Sequence, residues 1–484
     1  MSSVIDNQPS AIDSSVFNLL NAGDYADFYW EDVTSMAIRW EEGKVERFTG
    51  GREAGAGLRY LFGEENRYGY ADNPDKEALA KLFRDLTAGP HPPAKRPAGP
   101  PSPDRRGDQI MPSLSYQERG RGEVQVFRPK ILKPVAEIPP ETKVALLRKA
   151  YEAARGPFIR QVSISYGETS KHIRVLTSEG DSTEEWRSVI TFSMTVVAEK
   201  NGLLQTAHEA VSGSGGFEFF DYNDVAALGR KVTERAVKRL SAPPAPSGEM
   251  PIVIAAEAGG TLIHEAIGHP LEADAVQKGI SPVYKGAIGK VVGHEKVSVL
   301  EDPTMPGQRG FYAYDDEGIP AQRVVLVDHG VLKTYLYDRQ TARRDGVVSN
   351  GHGRRESFRH RPIPRMANTF VLSGKDDPSE ILRSVPNGLL VTKMGGGQVE
   401  TATGDFVFEV EEGFLLKDGQ VQYLIRGANL LGNGPNVLRT IDMVGSDMGW
   451  SVGTCGKEGQ GAPVSDGLPT LRIPKGVVVG GVAP

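Results

Sequence analysis

The run His264-Glu265-Ala266-Ile267-Gly268-His269-Pro270 constrains this chain more tightly than any other, since one short helical segment must present two imidazoles five residues apart. At about 100° per residue, an i,i+4 pair lies ~40° apart around a regular α-helix, whereas an i,i+5 pair lies ~140° apart. A straight helix therefore points His264 and His269 away from each other. Gly268 tolerates unusual backbone angles, and Pro270 lacks an N–H and clashes with the carbonyl four residues back. Together they favour a π-bulge or a broken last turn at His269, where an i,i+5 pair nearly eclipses. Residues 259–275 are expected to form a short helix, distorted where the second histidine must swing round.

Two imidazoles and a carboxylate in six residues differ by one insertion from H-E-x-x-H, in which two histidines bind zinc and the glutamate handles a water proton. His-Glu pairs also arise by chance: His208-Glu209 and His294-Glu295 have no histidine at either following spacing. On this pattern alone, a helix that merely carries two surface or core histidines stays open. The sole cysteine, Cys455, excludes an intrachain disulfide. Its surroundings, Gly453-Thr454-Cys455-Gly456-Lys457, read as a glycine-flanked turn in which the glycines help expose the thiol and Lys457 lowers its pKa. The alternative is an inert, buried small side chain.

A chain of 484 residues can hold two or three domains. Its 39% apolar and 24% charged residues are those of an ordinary soluble globular protein. A net charge of −6 argues against nucleic-acid binding as the main function. No window approaches the roughly 18 apolar residues of a membrane span. The first residues lack a basic and then apolar leader, so a cytoplasmic location is expected.

Residues 13–22 read as an amphipathic helix. Alternating runs at 26–31, 35–40, 44–49 and 56–62 suggest an antiparallel meander with a Glu42-Gly43 turn, followed by a helix over 74–86. Seven prolines between Pro90 and Pro103 mark an exposed connector. A second unit has helices over 140–154 and 224–240 around strands at 159–166, 173–178 and 186–199. The stretch 241–248, rich in Pro, Ala and Ser, reads as a linker. Beyond it lies a glycine-rich region with a hairpin of 406–416 and 420–425 around Lys417-Asp418-Gly419. The fold class is α+β: two N-terminal antiparallel-sheet and helix subdomains (1–88 and 113–243, separated by a connector at 89–112) precede a β-rich catalytic domain (250–484) carrying the distorted helix.

Six ordered blocks carry a more specific signal: His264–His269 with Leu271-Glu272-Ala273-Asp274; Asp315-Asp316-Glu317-Gly318; Gly353-Arg354-Arg355-Glu356-Ser357; Pro364-Arg365-Met366-Ala367-Asn368-Thr369; Gly395-Gly396-Gly397-Gln398-Val399; and Gly453-Thr454-Cys455-Gly456-Lys457-Glu458-Gly459-Gln460. In these the chain resembles the TldD branch of the TldD/PmbA family of zinc-dependent peptidases across nearly its full length. The resemblance implies zinc held by His264, His269 and Cys455, with Glu265 as catalytic base in hydrolysis of unfolded or short peptides by a zinc-activated water. It also implies a dimer, either with itself or with a PmbA/TldE-like paralogue that lacks the metal motif. Two other readings stay open: a hydrolase with Cys455 as nucleophile, and a non-catalytic regulatory or scaffold subunit.

Arg354, Arg355 and Glu356 are candidates for gripping a peptide carboxylate or carbonyl, with a structural ion-pair network as the alternative. Asp315, Asp316 and Glu317 read as an acidic turn rather than a cation site. Gly395-Gly396-Gly397 lacks the context of a phosphate cradle and fits close backbone packing against substrate or partner. Glu272 and Asp274 are placed to orient metal ligands or to face solvent.

Overall fold

Alternation with a period of two organises the N-terminal half. The structure, a computed structural model, describes residues 16–89, 124–400 and 402–481. Strands β1 (Tyr25–Glu41), β2 (Lys44–Phe62) and β3 (Glu65–Asp72) form a meander whose first turn, Glu42-Gly43, has positive φ at both residues, as a two-residue hairpin requires. The runs at 26–31 and 35–40 belong to one strand, as do those at 44–49 and 56–62. The polar and glycine residues between them keep pairing across to the neighbouring strand. Four further strands follow: β4 (Val124–Phe127), β5 (Ile159–Thr177), β6 (Ser182–Lys200) and β7 (Leu203–Ser214). Both N-terminal segments contribute to one seven-stranded sheet in the order β3-β2-β1-β5-β6, with β4 and β7 also pairing to β6. β1 and β5 join the segments from Asp27↔Thr177 to Glu41↔Ser163.

Even-numbered residues of β1, among them Phe28, Trp30, Ile38 and Trp40, lie in the apolar cores beneath the helices. Helix Lys76–Thr87 is capped by Asp75, helix Pro140–Ala154 opens on a proline, and helix Val225–Arg239 is capped by Asp224. Odd-numbered Asp27, Tyr29 and Glu31 are also buried, but against the C-terminal half, where Tyr29 packs with Phe358. Around these residues the sheet buries both faces, one apolar and one largely polar, whereas Lys44–Glu53 of β2 are exposed.

The C-terminal half holds two large sheets, besides a two-stranded pairing of Gly353–Arg354 with Ile363–Pro364. One runs, in spatial order, Val331–Leu332, Val324–Asp328, Val299–Glu301, Asn368–Val371, Gln460–Leu468 and Gly449–Lys457. The other, nine-stranded, contains Ile252–Ile254, Asn387–Glu400 and the expected hairpin of Asp405–Lys417 with Gln420–Ile425, turning at Asp418 and Gly419 with positive φ. The segment 261–277 sits in the core shared by the two sheets: Leu262, Ile263, Ala266 and Ile267 pack in one cluster with Val464 of the first sheet and Val391 and Phe408 of the second. The stretch 241–248 follows the sheet edge closely, with Ala242 and Ala245 buried and backbone hydrogen bonds exchanged with Arg426. Residues 90–123, which contain the proline-rich connector, lie outside the described residues, as do those before Val16; the described part of the expected 13–22 helix is a short 3₁₀ helix, Val16–Leu20. Among the described residues no helix is long and apolar enough to cross a membrane.

Charge docks the two halves. Arg59 of β2 is 0% exposed and bridges Asp27 of β1 at 2.5 Å and Glu317 of the C-terminal half at 2.6 Å. Arg355 approaches Asp27 at 3.4 Å, and Arg187 of β6 pairs with Asp316 at 2.8 Å. The acidic turn 315–318 is therefore a docking element: Asp315 accepts the N–H groups of Glu317, Ile319 and Gly353, and Gly318 takes the positive φ that ends the turn. Removing one partner of a buried pair strands the other charge. Arg59→Met, which takes the shared cation away from Asp27 and Glu317, is expected to cost about 3–5 kcal/mol of stability, read from denaturant unfolding; a loss below about 1 kcal/mol would show that this pairing does not hold the halves together.

Candidate metal centre

A helical turn begins at Thr261–Ile263, widens to a π turn over His264–Gly268, and closes as a 3₁₀ turn over His269–Leu271. The His269 N–H donates to the His264 carbonyl, the i→i+5 bond that brings the two side chains onto one side. Their rings stand perpendicular with centroids 5.0 Å apart. The contribution of Gly268 differs from the expected one. Its φ and ψ are both −60°, ordinary helical values, but a Cβ there would sit 1.9 Å from Met366 Sδ. Glycine is required by close packing under the turn, not by backbone freedom.

Cys455 also differs from its expected setting. It lies within strand Gly449–Lys457, not in a turn, and is 3% exposed. The turn comes later, at Glu458-Gly459, both with positive φ. Pairing of Cys455 with Ala462 in strand Gln460–Leu468 fixes its direction. Its Sγ lies 3.4 Å from His269 Nε2, and one ligand atom from each of His264, His269 and Cys455 falls within 4.8 Å of the others. A tetrahedral zinc with two nitrogen ligands and one sulfur ligand needs donor separations of about 3.3–3.6 Å.

Each imidazole is oriented by a carboxylate. His264 Nδ1 meets Asp466 Oδ1 at 2.7 Å, and His269 Nδ1 meets Glu272 Oε2 at 3.0 Å. An Nδ1–H held by a carboxylate leaves the Nε2 lone pair for a cation. Burial disfavours the charged form of both rings, yet Asp466 and Cys455 raise His264 well above the usual histidine range, while Glu272 and Cys455 raise His269 to about 10. Burial would push the Cys455 thiol up, but hydrogen bonds and charge from His264 and His269 outweigh it and bring it down to about 5. Lys457 is not the cause of that shift, because its ammonium is held by Asp274 at 2.5 Å and Glu272 at 3.0 Å. Burial opposes ionisation of Glu272, and Lys457 with His269 nevertheless lowers it to about 2. Glu272 thus has the orienting position that the sequence allowed for it. Asp274 instead steadies Lys457.

Glu265 is half-buried beside His264, and its carboxylate makes no hydrogen bond or ion pair to the described residues. Asp466 escaped the sequence reading; its one signal is that it is the only charged residue in strand Gln460–Leu468. Arg354, Arg355 and Glu356 lie elsewhere, on the wall of a cavity that also touches Thr454. There Arg354 donates to the carbonyls of Met366 and Pro463, Arg355 stacks 4.2 Å over Tyr29, and Glu356 accepts the Gly461 N–H at 2.5 Å. Among the described residues the only cluster with metal-binding geometry is His264, His269 and Cys455.

Residues 26–88, 133–240 and 247–481 match, in order, the family models for domain 1, the central domain and the C-terminal domain of the PmbA/TldA metallopeptidases. A metalloprotease TldD homologue of Haemophilus influenzae is 33% identical over 95% of this chain and 93% of its own length. A zinc metalloprotease TldD homologue of Saccharolobus solfataricus is 30% identical over 67% of this chain and 72% of its own. Among solved structures, TldE from Thermococcus kodakarensis superposes with a TM-score of 0.71 over 95% of this chain and 97% of its own, at 17% identity, which is a likeness of fold.

In metal-free protein the thiolate absorbance lost in Cys455→Ser is expected to titrate with a midpoint at about 5, with the thiolate present above it and absent below. A midpoint in the ordinary thiol range near 8.5 would mean that the imidazoles do not face the sulfur.

Proposed function

The chain belongs to the PmbA/TldD metallopeptidase family, and from that premise we propose that it is a zinc-dependent peptidase hydrolysing unfolded or short peptides. In this reading His264, His269 and Cys455 hold the metal and Glu265 is the general base. The observation that carries it is the convergence of three donor atoms within 4.8 Å, with Glu265, adjacent to His264 in the chain, free of any hydrogen bond or ion pair among the described residues. Three protein ligands are the number that leaves a zinc coordination position open for reaction.

Zinc bound there supplies a Lewis acid that polarises the scissile carbonyl and acidifies water towards neutrality. The protein side of the chemistry follows from the contacts. Asp466 and Glu272 keep each Nδ1 protonated and each Nε2 turned inward. Glu265 takes the proton of the attacking water and returns it to the leaving amine, a role its carboxylate can fill because no cation among the described residues pairs with it.

A place for an extended substrate supports the same reading. Strand Gly449–Lys457, which carries Cys455, is the last in its sheet, so its outer edge has no partner strand among the described residues. A groove of about 700 Å³ runs along it, bordered by Trp450, Ser451 and Val452, by Thr261 at the start of the histidine helix, and by Gly395 and Gly396 opposite. A Cβ on Gly396 would meet nothing within 4 Å. A peptide adding to this edge by main-chain hydrogen bonds lies beside Cys455 without demanding a particular side chain. The likeness to TldE further supports pairing with a second copy or a paralogue of that fold.

Glu265→Gln is expected to lower kcat/KM on an unfolded peptide by about 10²–10⁴-fold while zinc stays bound at one equivalent. Undiminished cleavage would remove Glu265 from the mechanism. The depressed Cys455 thiol also suits a nucleophile, and metal analysis of Cys455→Ser separates the two roles. Loss of zinc supports ligation, whereas zinc retained with turnover abolished supports covalent catalysis.

A further inference from the structure

A second cavity, of about 590 Å³, lies between β6 and the hairpin that carries Cys455. It is separate from the metal centre. Successive residues of a strand face opposite ways, so Thr454, which lines the cavity together with its cross-strand neighbour Pro463, points away from the side on which Cys455 meets the histidines. The cavity has an apolar wall in Phe127 and Phe311, whose rings lie 5.8 Å apart, and in Trp186.

Its charges do not balance internally. Arg309 donates to the Gly453 carbonyl and to the hydroxyls of Thr191, Ser212 and Thr454, all neutral acceptors. Arg354, 4% exposed, donates only to backbone carbonyls and stands 5.3 Å from the Tyr312 ring centre. Neither arginine forms an ion pair with a carboxylate among the described residues, although Arg354 feels the charge of Asp316, which Arg187 holds at 2.8 Å. The other basic side chains on the wall are engaged or open to solvent: Arg187 pairs with Asp316, Arg355 with Asp27 and Lys171 with Glu31, while Lys130 is exposed at the rim. The acids on the wall are also engaged. Asp316 is held by Arg187, Glu218 accepts the N–H groups of Leu132, Lys133 and Gly216, and Glu356 accepts that of Gly461.

Burial, with the field of Arg354 added, lowers Arg309, and burial lowers Arg354 despite the opposing charge of Asp316. Guanidinium groups sequestered in this way are costly unless an anion neutralises them. The planar fork of Arg suits a carboxylate, and the aromatic wall suits an apolar body attached to it.

We propose that this cavity binds an apolar carboxylate, with Arg309 and Arg354 taking the charge and Phe127, Trp186 and Phe311 the side chain. The C-terminal residue of a peptide and a free aryl acid share this chemistry. Occupancy would press on Thr454, the residue next to Cys455, from the side opposite the metal.

Calorimetric titration of the full-length protein tests this with N-acetyl-phenylalanine, N-acetyl-phenylalaninamide, 3-phenylpropionate and inorganic phosphate. The acid is expected to bind at least about tenfold more tightly than its amide and more tightly than phosphate. Its affinity should be unchanged after a chelator removes metal, which excludes capture at the zinc site. Arg309→Met and Phe311→Ala should each weaken it by about tenfold or more; the second variant removes apolar wall without touching a side-chain hydrogen bond. Binding of 3-phenylpropionate alongside the acetylated acid supports a free acid as the natural occupant, and its exclusion supports a peptide terminus. Equal affinity for acid and amide, tighter binding of phosphate, loss of binding on metal removal, or no binding to the wild-type chain would each overturn the proposal.

Discussion

The hydrogen bond from the His269 N–H to the His264 carbonyl is the constraint on which the centre depends. An α-helical turn would send the two rings to different sides of the helix. Widening by one residue brings them together and allows a single cysteine from a distant strand to face both. A π turn is a poorer backbone arrangement than an α turn and needs support from its surroundings. Here that support is packing. Ala266 and Ile267 are locked in the main core, Met366 fills the space a side chain at 268 would take, and Pro270 stops the helix from continuing in register.

Charge completes what packing begins. Two carboxylates, two imidazoles and a thiolate lie within a few ångströms of one another, in a region almost closed to water. Each anion lowers the cost of placing positive charge between the rings, and Lys457 balances the Glu272 and Asp274 carboxylates behind them. The arrangement is preorganised: neither histidine must turn, and the two imidazoles bring the thiol down to about 5. The N-terminal sheet follows the same logic at larger scale, with one face sealed by apolar contacts and the other by paired charges.

Local periodicity made much of this legible. The distorted helix could be read from the spacing of its histidines together with Gly268 and Pro270, and helix Pro140–Ala154 from its own pattern. What escaped depended on partners far away in the chain. β1 and β2 were each read as two separate runs because polar and glycine residues in mid-strand look like turns until their pairing is known. β7 was not recognised at all, and its strand character follows from pairing along β6. Cys455 read as a turn residue because its flanking glycines suggest one, whereas those glycines sit in a paired strand. Asp466 gave almost no local sign, since a carboxylate becomes a histidine partner only when two strands and a helix have met.

That last point has a consequence for when the centre can exist. The contact between His269 and Cys455 spans 186 residues, and that between His264 and Asp466 spans 202. The helix that offers the imidazoles is too short and too distorted to persist outside the core. A chain still emerging from the ribosome has its histidines long before its cysteine, and until the final hairpin docks it has no three-donor site. The assembled centre is therefore a record of completed folding: a nascent, truncated or misfolded copy lacks it, and only the finished molecule carries it.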